Sequence, residues 1–121
     1  MADFVTILPV ALITSDATPT TVFLFNVGSN SVGTADLYLA AIAEDGTSWG
    51  AQVSRVFKKV ANADAVLVGA QVTILNQRDL GAATWAATLG VSGSDLVITA
   101  TGQAGVTIHW GFGGTVLLAN V

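Results

Sequence analysis

The sequence contains no cysteine, and only 10% of its 121 residues are charged. The first absence excludes a disulfide framework, a thiolate zinc site and a cysteine nucleophile, so stability must come from packing. The second is unusual, because soluble domains carry about 25% charged residues. A surface this short of charge predicts that part of it is buried in an oligomer.

Positive charge is especially scarce. The chain has 4 Lys and Arg against 8 Asp and Glu, which gives a formal net charge of −4. Arg55, Lys58 and Lys59 form the sole basic cluster. Nucleic-acid binding is therefore not expected, because the sequence creates no field that attracts phosphates.

Histidine occurs once, at position 109. A single histidine excludes multi-histidine metal sites, and the sequence nominates neither a nucleophile nor an orienting acid that would make it a catalytic base. No Asp-x-Asp-x-Asp spacing offers a calcium loop. We expect no enzyme, no cofactor and no metal ligands within the chain, and only a metal held between symmetry-related subunits stays open.

Long apolar runs are also missing. No window approaches the roughly 18 to 20 uninterrupted apolar residues of a spanning helix. The run from Phe4 to Ile13 resembles the core of a signal peptide, but Asp3 stands where such a peptide needs Lys or Arg, and Thr6 and Pro9 interrupt it. We expect neither cleavage nor membrane insertion.

What the sequence does have is an alternation of period two, punctuated by Gly, Asn, Asp and Ser every eight to twelve residues or so. This pattern predicts an all-β chain. Asp45-Gly46 predicts a type I′ hairpin turn, and a bulge near Phe57-Lys58 would repair the alternation of its strand. We expect residues 1–19 to form an N-terminal strand or arm and residues 20–121 a single β-sandwich domain, with strands over 20–27, 35–43, 48–61, 65–75, 84–91, 96–101, 106–112 and 115–119.

About eight short antiparallel strands favour a jelly-roll-like β-sandwich over an open sheet, because each apolar face needs a cover. Edge strands usually carry charge that prevents edge-to-edge pairing, and this sequence has too few charges to protect every edge. A closed homo-oligomer would bury both the apolar surface and the bare edges.

Candidate interface residues follow from the apolar segments 35–43 and 115–119, whose outward faces we expect to meet in the oligomer. Trp85 and Trp110 alternate with aliphatic neighbours and are expected in the core. Trp49 follows the Asp45-Gly46 turn, where its ring either stacks on a sugar, with Arg55 as a second glycan contact, or packs against a neighbouring subunit. The interface candidates are Tyr38, Leu39, Ala41, Val116 and Leu118.

The C-terminal third carries a resemblance. Thr84-Trp85 opens one strand, Ser92-Gly-Ser-Asp95 turns the chain into the next, and Val106-Thr-Ile-His-Trp110 follows the turn at residues 102–105. This layout resembles the small, C-terminal-type β-domain of bacteriophage virion fibre and appendage proteins, and the likeness extends over residues 20–119. The resemblance implies a trimeric β-sandwich used in a tail fibre, a head fibre or a capsid decoration.

The chain departs from those fibres because it has no long coiled-coil or collagen-like shaft. We therefore expect a small virion structural protein, a homotrimer whose partners are other virion proteins, with a host surface glycan as a further candidate partner. The alternative is a monomeric carbohydrate-binding module that uses Trp49.

Overall fold

A computed structural model describes residues 2–121, and Met1, which belongs to the expected N-terminal arm, lies outside them. The described chain is all-β, with eight strands in two antiparallel sheets and one short 3₁₀ turn, Leu80–Ala82. The strands are β1 (Ala2–Thr14), β2 (Thr20–Asn26), β3 (Ser31–Ala43), β4 (Ser48–Lys59), β5 (Val66–Arg78), β6 (Ala86–Ser92), β7 (Asp95–Thr101) and β8 (Ile108–Asn120).

The sheets differ in width. The larger has the order β1-β8-β3-β4-β5, and the smaller has the order β2-β7-β6. The chain crosses from one sheet to the other between β1 and β2, β2 and β3, β5 and β6, and β7 and β8, as in a jelly roll. The consecutive strands β3, β4 and β5 form a meander in the larger sheet. The predicted β-sandwich is confirmed, and the larger sheet overhangs the smaller one.

Two strands that the sequence predicts separately form one continuous strand in the structure. The segments expected over 106–112 and 115–119 form β8, which runs without a break through Gly113 and Gly114. Gly114 is not a turn residue. A Cβ at this position would collide with the carbonyl oxygen of Asp36 on β3, so the glycine allows two backbones to lie close together.

The core lies between the sheets and centres on Trp110. Its ring is 6.0 Å from the Trp49 centroid, 6.1 Å from that of Trp85 and 6.0 Å from that of Phe112. The expected core positions of Trp85 and Trp110 are confirmed. Each buried indole N–H has an acceptor: Thr14 Oγ1 for Trp110 at 2.9 Å, Gln103 Oε1 for Trp85 at 3.1 Å and Asn76 Oδ1 for Trp49 at 2.7 Å.

The hairpin between β3 and β4 is present, but its turn is not type I′. Gly46 has a φ of 91°, whereas Asp45 has no positive φ, and a type I′ turn needs positive φ at both central positions. Gly46 N–H donates to the carbonyl of Ala43 at 3.0 Å, and Ala43 N–H donates to the carbonyl of Thr47 at 2.8 Å. These bonds describe a three-residue loop that ends in a left-handed glycine.

The bulge expected near Phe57-Lys58 is also wrong. Strand β4 pairs with β3 without a register shift, and the irregularities lie in its other neighbour, β5. There the register slips at Ile74 and again around Gly69, which has a φ of 80°. The extra residues therefore belong to the edge strand, where no further partner constrains them.

Candidate assembly surface

The larger sheet has an outer face, turned away from the smaller sheet, that is apolar and exposed. The side chains that point to this outer face are identified most clearly on β3, because its residues alternate between buried and exposed along nearly its whole length. Among the described residues of this face, Asp36 and Lys58 carry charge. The large apolar side chains exposed on the outer face are Phe4, Ile13, Val32, Tyr38, Ile42, Val66, Val68, Val72, Leu75 and Leu117.

Only one of the five expected interface residues lies on the outer face. Tyr38 is 55% exposed. Leu39, Ala41, Val116 and Leu118 are buried and point towards the smaller sheet, so the expectation that they lie outward is wrong. The prediction is displaced by one residue along the strand, and a displacement of one residue exchanges the two faces because neighbouring strand positions point to opposite sides.

The ring expected to be exposed at Trp49 is buried. Trp49 is 6% exposed, packs edge-on against Trp110, and has the Arg78 guanidinium 4.2 Å from its centroid. Protein atoms therefore cover the Trp49 ring. A sugar cannot stack on a ring in this position.

Arg55, the second expected glycan contact, points between the sheets. Its Nη1 donates to the carbonyl of Leu89 on β6 at 2.8 Å, and its Nε lies 3.4 Å from the carbonyl of Gly69. Lys59 behaves similarly, with Nζ 2.7 Å from Ser94 Oγ. Two members of the basic cluster therefore join the sheets, whereas Lys58 is exposed on the outer face.

A polar seam, formed by Arg55, Gln71 and Arg78, closes the sandwich where β5 faces the free edge of β6. Gln71 Oε1 accepts the Leu89 N–H at 2.7 Å, and its Nε2 donates to the carbonyl of Ala87 at 3.3 Å. Arg78 Nη1 lies within 3.2 Å of the carbonyls of Ala82, Ala83 and Trp85. Side chains thus satisfy the edge strand's backbone groups, which a neighbouring strand would otherwise pair. Sequence reasoning missed Gln71 and Arg78, because no local pattern marks contacts this distant in the chain.

The opposite side of the sandwich is open and apolar. Between β1 and β2 lies a groove of about 520 Å³, in which Leu8 and Phe23 are exposed. Both strands are irregular here: Leu8 and Pro9 oppose one residue of β8, and Leu24 is an extra residue in β2. Such bulges, with a proline, protect edges without using charge.

The outer face also contains a shallow concavity, the glycine depression, beside Tyr38. Its volume is about 450 Å³. The floor is low because Gly111 and Gly113 of β8 have no side chains, and Gly113 is the register partner of Tyr38. The residues around it include Pro9, Ala11, Tyr38, Ala40, Gly111 and Gly113.

No group of three or more His, Cys, Asp or Glu side chains capable of holding a metal occurs in residues 2–121. His109 is exposed on the outer face, and its register partners are Ile13 and Ile42. Within the same residues, no helix is long and apolar enough to cross a membrane.

No protein-family model matches the chain, and no curated protein sequence does. The fold is similar to that of the tailspike protein of Acinetobacter baumannii phage AM24, known from a crystal structure. The TM-score is 0.55 at 12% sequence identity, and the match covers 99% of this chain and 26% of the tailspike chain. The chain thus spans about a quarter of that protein's length, and at this identity the likeness concerns the fold.

Proposed function

We propose that the chain is a non-enzymatic structural component of a bacteriophage virion, a small fibre or appendage domain that assembles as a homotrimer through the outer face of its larger sheet. The outer face carries this proposal, because it leaves ten large apolar side chains exposed in a chain with only 10% charged residues. The tailspike likeness supports the virion setting.

The size of the outer face is adequate for a stable contact. Five strands about 4.8 Å apart, each about twelve residues long at about 3.3 Å per residue, give a face of about 900 Å². A stable interface needs about 800 Å² from each partner. Contiguous exposed apolar patches larger than a few hundred Å² mark interaction sites on soluble proteins.

The carbohydrate-binding alternative requires an accessible Trp49 ring and an accessible Arg55. The Trp49 ring is buried, and Arg55 is engaged in the polar seam. Assembly does not depend on either residue being accessible. We therefore retain assembly as the proposed function.

Light scattering after size exclusion tests the oligomer. We expect the wild-type chain at three times 12.3 kDa. Leu117→Asp places a charge in the outer face and should reduce the mass to that of one chain without changing the circular dichroism spectrum. Leu80→Asp is the control, because Leu80 is 96% exposed in the 3₁₀ turn away from this face. A wild-type monomer at tens of micromolar would overturn the assembly proposal.

The virion setting has a separate test. Particles purified by density gradient from a culture that produces the chain should contain it at a fixed stoichiometry, measured by quantitative mass spectrometry. A chain that remains entirely in the soluble fraction would overturn the virion role and leave the oligomer result unaffected.

A further inference from the structure

The outer face has a shape that suits a second copy of itself. Tyr38 projects from β3, the central strand of the larger sheet, and is 55% exposed. The glycine depression lies directly beside it, across Gly113. A projecting ring and a concavity thus lie one to two strand spacings apart, about 5 to 10 Å.

The fold of a single chain does not require the two glycines of the depression. Neither has a positive φ, and a Cβ on Gly111 or Gly113 would approach no atom closer than 3.9 Å. Gly33 and Gly114 differ, since a Cβ on either would collide with Phe57 or Asp36. Glycine inside a strand weakens it, and it often marks a bulge, a bend or a place where a ligand or another backbone approaches closely.

The strand edges offer a poorer contact than the face. Strand β1 carries Pro9 and a bulge, β2 carries a bulge at Leu24, and β5 slips register at Ile74 and near Gly69. Each irregularity interrupts the row of backbone groups that strand addition needs. The outer face, at about 900 Å², meets the area that a stable self-association needs.

We propose that Tyr38 of one copy inserts into the glycine depression of a second copy, so that each chain gives one ring and accepts one. This inference rests on the proposed assembly through the outer face and names the contact that organises it. The contact is compatible with any closed arrangement of copies. The Tyr38 side chain and the glycine depression of one chain can engage a single partner reciprocally, or each can engage a different neighbour in a cyclic oligomer. Buried aromatic side chains that fill pockets are the usual anchors of such interfaces.

Two substitutions test the contact from its two sides. Tyr38→Ala removes the ring, and Gly113→Val fills the depression; each should raise the dissociation constant of the oligomer at least tenfold in sedimentation equilibrium. Phe23→Ala is the matched control for the ring, since Phe23 is also 55% exposed but lies on β2. Gly90→Val is the matched control for added bulk, because a Cβ at this β6 glycine has open space.

A second measurement reports on the ring itself. The chain has a single tyrosine, so incorporation of 3-fluorotyrosine places one fluorine label at position 38. Its ¹⁹F resonance should move on dilution of the wild-type oligomer and of Gly90→Val, whereas in Gly113→Val the onset of this movement should shift to at least tenfold higher concentration. A resonance that stays constant through dissociation would overturn the inference.

The outcomes separate this inference from the proposed function. Dissociation by Leu117→Asp with full association of Tyr38→Ala and Gly113→Val would overturn the ring-and-depression contact and leave the outer face as the interface. A monomeric wild-type chain would overturn both. Dissociation by all three, with the two controls associated, supports both.

Discussion

At the scale of single residues, the two adjacent glycines of β8 have different roles. Gly114 lies against the backbone of β3 where no Cβ fits, whereas a Cβ on Gly113 would make only ordinary contacts on the outer face, the nearest with Pro9 Cα at 3.9 Å. Their neighbourhoods predict opposite responses to substitution. The difference cannot be read from the letters, because both are glycines within one strand.

Gly114→Ala should destabilise the folded chain by about 2 kcal/mol or more, since overpacking against backbone typically costs 1 to 3 kcal/mol and backbone atoms yield little. Urea denaturation followed by tryptophan fluorescence measures the change. Gly90→Ala, at a position with open space, should leave the free energy of unfolding within about 0.5 kcal/mol of the wild type. Equal stability of both variants would contradict the close approach of β8 to β3.

Asp45 offers a titration test of the hairpin turn. The Thr47 backbone N–H, which donates to Asp45 Oδ1 at 2.9 Å, and the Thr47 side chain lower the pKa of Asp45 below its ordinary value of 3.8. A lowered folded-state pKa stabilises the fold above pH 3.8, and this contribution is lost as the pH falls through the folded-state value. Thr47→Ala should raise the pKa of Asp45 only part of the way to 3.8, because the backbone donor remains. Carboxyl ¹³C titration measures it, and an unchanged pKa would exclude a contribution from the Thr47 side chain.

At the scale of elements, the polar seam replaces strand pairing between β5 and β6. Gln71→Ala would leave the Leu89 N–H and the Ala87 carbonyl without their present partners. We expect a loss of about 1 to 2 kcal/mol of stability, in the range for an unsatisfied, partly buried backbone group. Hydrogen exchange should show the Leu89 amide exchanging faster than in the wild type. The control is Gln77→Ala, an exposed glutamine on the same strand, and equal protection of Leu89 in both variants would contradict the seam.

The same scale shows what the sequence can predict. Period-two alternation locates β2 to β7 to within a few residues. Buried and exposed positions alternate most clearly in β3, whereas no residue of β5 is buried. It does not tell which face of β3 is buried, since Leu37 and Leu39 alternate with Tyr38 and Ile42 and both sets are apolar. Asp36 indicates the correct orientation, because it shares a face with Tyr38 and a charged side chain marks the outward face of a strand.

The candidate assembly surface is less predictable from the sequence than the fold. The sequence correctly predicts that Tyr38 points outward, but it places Leu39, Ala41, Val116 and Leu118 on the wrong face by one residue of register. From the sequence, Trp49 is expected to be accessible because it follows a turn, and Arg55 because it lies close to two lysines. Their burial depends on Arg78 and Leu89, which are distant in sequence and appear only in the folded chain.

At the scale of the whole molecule, substitutions at two leucines distinguish an effect on folding from an effect on the proposed assembly. Leu39 is 4% exposed in the core, and Leu117 lies on the outer face. Leu39→Asp should therefore unfold the chain, because a buried unpaired carboxylate costs several kcal/mol out of a total stability of about 5 to 15. Leu117→Asp should instead give a folded monomer. Circular dichroism and light scattering on both variants distinguish these results, and a folded, soluble Leu39→Asp chain would contradict the assigned orientation of β3.

The position of β8 has a consequence for the order of folding. The last strand of the sequence lies between β1 and β3, so the larger sheet stays in two pieces until residues 108–120 insert between them. The first strand meanwhile has no hydrogen-bonded neighbour and must wait for a partner about a hundred residues away. Sheets whose pairings span this much sequence fold on the millisecond-to-second timescale. During translation, the nascent chain therefore exposes the edges that the finished sandwich hides, and the time between synthesis and insertion of β8 is when this protein is most exposed to aggregation and proteolysis.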